Sequence, residues 1–140
     1  KSGRRSMFER VPYSELNSRQ KENYNFHLIA ARLAGYGYNS MRVTDDWQGA
    51  DFIACHIDGE QFLKVQLKGR LTLDRKYEGK DIHIAFRHHD QCYVYPHDVM
   101  IHEVERLGKI NSSKSWSEHR SYSWPQPPVW ASSILEAYKV

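Results

Sequence analysis

GADFIACHIDGEQFLKVQLKGR, residues 49–70, decides how the rest of the chain is read. It holds two apolar runs separated by Asp58-Gly59, a dipeptide that turns one strand back on another. Side chains alternate along a strand, so Leu63, Val65 and Leu67 face one way while Phe62, Lys64, Gln66 and Lys68 face the other. A strand that buries one face and carries Lys, Gln and Lys along the other presents a polar row inside a sheet.

Working outward, Asn17 with Gln20 three residues on forms a helix start, and SRQKENYNFHLIAARLA reads as a helix to about Ala34, stopped by Gly35. Phe26, Ile29 and Leu33 make its buried stripe, and one turn back along that stripe stands Glu22. SMRVTDD, residues 40–46, is a first strand, turned by Trp47-Gln48-Gly49 into ADFIACHI; EQFLKVQLK follows as a third. Residues 70–80 are polar and without period, which predicts a loop. DIHIAFR (81–87) and QCYVYP (91–96) are two further strands joined at His88-His89-Asp90. From His97-Asp98, read as an N-cap, the spacing of Val99, Met100, Val104 and Leu107 predicts a helix ended by Gly108. The Ser-, Trp- and Pro-rich residues 111–130 are expected to be irregular, with a short last helix capped by Ser132 or Ser133.

One domain over residues 1–140 follows from this length, with a core at about 15–108 and an irregular C-terminal segment at 109–140. Hydrophobic residues make up 40% and charged residues 26%, which excludes a disordered chain. No apolar stretch reaches the ~20 residues of a membrane span, and the N-terminus lacks a signal-peptide core, so a cytoplasmic location is expected. Cys55 and Cys92 each lie in an apolar run and read as buried thiols.

The net charge is +3, but it is unevenly placed. Residues 1–21 hold Lys1, Arg4, Arg5, Arg10, Arg19 and Lys21 against two acids; residues 64–87 hold Lys64, Lys68, Arg70, Arg75, Lys76, Lys80 and Arg87 against three. Positive charge therefore gathers around the hairpin, a bias that suits a polyanionic partner without requiring one.

Adjacent antiparallel strands can bring Asp51, at the start of one strand, beside Gln66 and Lys68 on the next. Asp51, then Gln66-Leu67-Lys68, after a helix bearing Glu22, resembles the PD-(D/E)xK nuclease superfamily over residues 15–96. Asp51 matches the first acid, Gln66 the second acidic position, Lys68 the lysine and Glu22 the helical acid. Gln66 is an amide where that family favours an acid, and Ala50 stands where it favours Pro. The resemblance implies a restriction-endonuclease-like α/β fold, a mixed sheet of about five strands flanked by helices. It also implies a Mg²⁺- or Mn²⁺-dependent endodeoxyribonuclease acting on duplex or branched DNA, working as a homodimer. In that reading Asp51, Glu22, Gln66 and the Leu67 carbonyl hold the metal, and Lys68 serves the attacking water. Lys64, Arg70, Arg75, Lys76 and Lys80 would contact nucleic-acid phosphates. A catalytically silent nucleic-acid-binding module and an RNA-processing nuclease are the alternatives.

Hydrolysis of a phosphodiester asks for such residues, because hard divalent cations prefer carboxylate and carbonyl oxygens and a lysine can stabilise developing negative charge. Two other triplets, Asp74-Arg75-Lys76 and Glu78-Gly79-Lys80, share the acid-x-Lys spacing but fall in the unpatterned stretch. His88-His89 with Asp90 reads as a turn rather than a metal cluster, since no third ligand is spaced to close it. Phe86, Tyr93 and Tyr95 alternate as core residues of a sheet.

Overall fold

Asn17 starts the first helix by reciprocal bonding. Its side chain accepts the Gln20 amide at 2.8 Å, and the Gln20 side chain accepts the Asn17 amide at 2.9 Å. The computed structural model, which describes residues 6–110 and 113–140, runs this helix, α1, over Ser18–Ala34 with Phe26, Ile29 and Leu33 buried. Lys1, Arg4 and Arg5 of the basic N-terminal stretch lie outside the described residues, as do Asn111 and Ser112.

Strand β1 (Tyr38–Trp47) and strand β2 (Ala50–His56) are joined by Gln48-Gly49, both at positive φ, the geometry of a two-residue hairpin turn. Strand β3 (Phe62–Leu67) pairs antiparallel with β2. Its connection is longer than the expected dipeptide turn and spans residues 57–61, because the His56 amide bonds back to the Gln61 carbonyl. Inside that loop the Asp58 carboxylate accepts the Glu60 and Gln61 amides, which hold its carboxyl well below the usual carboxylate range. Strand β5 (Ile82–His88) lies parallel to β3, and β6 (Gln91–Pro96) pairs antiparallel with β5. The result is a mixed five-stranded sheet in the order β1-β2-β3-β5-β6, flanked by helices.

Parallel strands need a crossover, and residues 68–81 supply one that is not the expected loop. Strand β4 (Leu71–Asp74) and a single 3-10 turn (Arg75–Tyr77) occupy it. Leu71 and Leu73 are fully buried and Tyr77 nearly so. Strand β4 pairs with β7 (Ser121–Trp124), and the segment expected to be irregular further carries α3 (Lys114–His119) and α4 (Val129–Glu136). Helix α4 starts after Pro128 rather than at Ser132 or Ser133, as suits a residue that cannot donate from its nitrogen.

Helix α2 (His97–Arg106) buries Met100, Ile101 and Val104, while Val99 and Leu107, expected in that stripe, are exposed. His97 is not a cap. It is buried within the first turn, where its Nε2 accepts the Asp74 amide at 2.9 Å, and Asp98 accepts the Gly79 amide.

The sheet has two covered faces. Helix α1 lies on one, over Phe52, Ala54, Val65, Leu67, Ala85 and Val94. The β4–β7 pair and α2 to α4 form the other layer, over Ile82, Ile84, Phe86 and Tyr95. The β6 edge is lined by the chain's own last residues, through Val94 to Tyr138 and Val140 to Cys92 bonds. Cys92 is buried, which raises its thiol, and Cys55 is half-buried; both are free. Among the described residues no helix is long and apolar enough to cross a membrane.

Candidate active site

At Lys68-Gly69 the chain leaves the main sheet for β4, so the first residues of β2 lose their neighbour. Successive amides of a strand point to opposite sides. The Lys68 amide donates to Ala85 of β5 at 2.9 Å, which directs the Leu67 amide toward β2. It meets a side chain there: Asp51 Oδ2 accepts it at 2.8 Å. The carboxylate thus ends the ladder and is fixed in place at the mouth of the sheet.

The neighbours follow from the register. Phe52 pairs with Val65 and Ile53 with Lys64, so Asp51 comes beside Gln66 on the same face. Gln66 in turn lies beside Ile84 of β5. Val65 and Leu67 are buried against α1, while Lys64 and Gln66 between them are half-buried, as the alternation predicts, and Lys68 just past the strand is half-buried as well. The Lys68 Nζ lies 5.5 Å from the centre of the buried Tyr77 ring, a contact that anchors the lysine at the end of β3.

Glu22 is exposed on the second turn of α1. It lines a cleft of about 610 Å³ with Tyr13, Arg19, Lys21, Asn25, Leu67 and Lys68. It also lines a smaller one of about 160 Å³ with Arg19, Arg42, Val43 and Asp51. The helix therefore presents its acid to both clefts, one lined also by Leu67 and Lys68 and the other by Asp51.

The chemistry of this set fits a hard divalent cation. The two carboxylates and the Leu67 carbonyl are oxygen donors, and so is the Gln66 amide, which stands beside Asp51 on β3 but lines neither cleft. Among the described residues no three His, Cys, Asp or Glu side chains are placed to hold a metal, so a cation here would depend on the amide and carbonyl as well as the two acids.

The remaining predicted contacts are scattered. Arg75 is engaged within the fold: it pairs with Glu78 at 3.1 Å and Glu105 at 2.7 Å, and its guanidinium lies 4.2 Å from the Trp116 ring. Lys76 is exposed, 3.9 Å from Asp74, and Arg70 and Lys80 are exposed as well. Lys64 sits two residues back along β3 from Gln66, between Ile53 and Ile82. The two competing triplets are structural. Asp74 accepts the Lys76 amide at the start of the 3-10 turn, and Glu78 is the partner of Arg75.

Sequence reasoning placed neither Arg19 nor Arg42 at the site. Arg19 was legible, because it precedes Glu22 by three residues and so shares its helix face. Arg42 was not, since it reaches Phe52 only through an irregularity in the β1–β2 ladder between Arg42 and Trp47.

No protein-family model matches the chain, and no curated protein matches it in sequence. Among solved structures the chain is similar to a bacterial homing endonuclease, at 22% identity and a TM-score of 0.48, over 61% of this chain and 69% of that one.

Proposed function

We propose that the protein is a metal-dependent endonuclease of the PD-(D/E)xK type that hydrolyses phosphodiester bonds in duplex or branched DNA. The observation that carries this reading is the Asp51 carboxylate. It is held by the Leu67 amide at the point where β3 leaves the sheet, with Gln66 beside it and Glu22 across the cleft. Asp51, Glu22, the Gln66 amide oxygen and the Leu67 carbonyl would hold Mg²⁺ or Mn²⁺. When bound, such an ion neutralises phosphate charge and makes water a better nucleophile at neutral pH. Asp51 and Glu22 supply the negative charge that retains it. Lys68, kept at the cleft by Tyr77, orients the attacking water and stabilises the negative charge that grows on the phosphate oxygens.

Each chain provides one such site, so cutting both strands of a duplex calls for two chains, and a homodimer is the simplest arrangement. The neutral Gln66 favours a second reading, a nucleic-acid-binding module without catalysis, because an amide draws a cation less strongly than a carboxylate. Incubation of supercoiled plasmid with the protein and Mg²⁺ or Mn²⁺, beside a chelator control, separates the two. Nicked or linear product that disappears with chelator supports the nuclease. Intact plasmid under all conditions leaves the binding module. Replacing the plasmid with structured RNA tests the substrate class.

A further inference from the structure

The two clefts share Arg19 and Glu22 and so adjoin at the first turns of α1. Lys21 and Lys68 line one; Arg42 and Asp51 line the other. Asp51 and Glu22 alone would repel a phosphate backbone, but among the described residues Arg19, Lys21, Arg42 and Lys68 line the same two clefts.

Arg42 is held in place rather than trailing in solvent. Its guanidinium lies 4.5 Å from the centre of the Phe26 ring and donates to Asn23 Oδ1 at 2.7 Å. Both partners are uncharged, and a guanidinium carries five donors, of which Asn23 takes one. Among the described residues neither Arg19 nor Arg42 forms an ion pair with a carboxylate, in contrast to Arg75 and Arg106. A guanidinium stacked on an aromatic ring and steadied by a neutral amide is ordered in advance for a planar, bidentate anion contact.

We propose that Arg19 and Arg42, which line the smaller cleft with Glu22 and Asp51, form a clamp for adjacent phosphates of a nucleic-acid strand. The strand then crosses the first turns of α1, with its backbone gripped at the cleft that holds Asp51 while Lys68 lines the adjoining one. This clamp rests on reading the two clefts as a nucleic-acid site, but it does not depend on hydrolysis.

The test is binding of a short fluorescent DNA duplex in the presence of chelator, followed by anisotropy over a range of salt. Each phosphate contact adds about 0.9 to the slope of log affinity against log salt. Arg19→Gln combined with Arg42→Met, which keeps an aliphatic stem on Phe26, should lower that slope by about two units and weaken binding about tenfold or more. Arg19→Gln alone, at an exposed position, should lower it by about one. The double Lys variant should keep the slope. An unchanged slope in the double Gln/Met variant, with its melting profile intact, overturns the clamp, as does wild-type protein that does not bind duplex. Wild-type protein that leaves plasmid uncut yet shows the lowered slope on substitution overturns the nuclease reading and supports the clamp. Plasmid cleavage with an unchanged slope does the reverse.

Discussion

Asp51 has one observed role and one proposed role, and they can be separated by substitution. As an acceptor it closes the β3 ladder through the Leu67 amide; as an anion it is the fixed carboxylate of the proposed metal site. Asp51→Asn keeps an acceptor for the amide while removing the charge, so plasmid cleavage should fall by at least about a hundredfold, with the melting temperature nearly unchanged. Asp51→Ala should lose cleavage equally and also melt lower, because the Leu67 amide loses its partner, at a cost of about 1–3 kcal/mol. Cleavage by Asp51→Asn at the wild-type rate would leave only the ladder-closing role. Lys68→Ala should remove cleavage while leaving DNA affinity within a few fold, since one phosphate contact among several carries little of it. Gln66→Glu should strengthen the calorimetric signal of Mn²⁺ binding, and no heat from either wild type or Gln66→Glu would remove the metal from the mechanism. Stability has its own titrating residue in His83 on β5. Burial pushes its imidazole below the ordinary value of 6.5, with Asp81 opposing. The unfolded chain therefore takes up this proton first as pH falls. The contribution is fully present above about 6.5 and is lost as pH drops through the lower folded value. His83→Gln should flatten the decline in melting temperature over that acidic window.

At the scale of elements, the small β4–β7 sheet is the part that local pattern concealed, and two buried polar side chains hold it. The Tyr95 hydroxyl of β6 donates to the Thr72 carbonyl at 2.6 Å and accepts the Thr72 amide at 3.1 Å. His97 of α2 accepts the Asp74 amide. Tyr95→Phe would leave both Thr72 groups buried without their partner, so it should cost about 2 kcal/mol or more in denaturant unfolding despite removing a single oxygen. Leu73→Ala should cost about 2–5 kcal/mol through the cavity it leaves. If Tyr95→Phe unfolds at the wild-type midpoint, the crossover is not pinned in this way. Because the crossover also positions Tyr77 against Lys68, a measurable loss of cleavage should accompany the loss of stability.

Over the whole molecule, the basic residues divide into those that hold the fold and those that are exposed. Arg75 belongs to the first group through Glu78, Glu105 and Trp116. Arg70, Lys76 and Lys80 belong to the second. Reversal of Lys76 and Lys80 to Glu should therefore weaken DNA binding for all sequences alike and lower the salt slope by about one unit for each phosphate that is no longer neutralised. Arg75→Glu should instead lower the melting temperature. An unchanged DNA affinity in the Lys76/Lys80 double reversal would make those lysines a solvated face.

The α1 stripe and the alternation of β3 were legible from residues 17–34 and 62–68, because helix and strand periods are written in nearest neighbours. The gathering of Asp51, Gln66 and Lys68 followed from the same alternation plus one hairpin. What neighbours could not show was which distant segments pair. Strand β4 is four residues long, and its partner β7 comes some fifty residues later, so LTLD looked like part of a polar loop until Leu71 and Leu73 found a layer to be buried in. The position of Arg42 depended on a ladder irregularity as well. A uniform register from the Gln48-Gly49 turn would set position 45 opposite Phe52, and the shift sets Arg42 there instead. Local sequence determined the strands of the main sheet, the polar row on β3 and the candidate acids Asp51 and Glu22. Tertiary structure alone decided the parallel crossover, the second sheet and the arginines beside the site, because each depends on contacts between segments that no local period encodes.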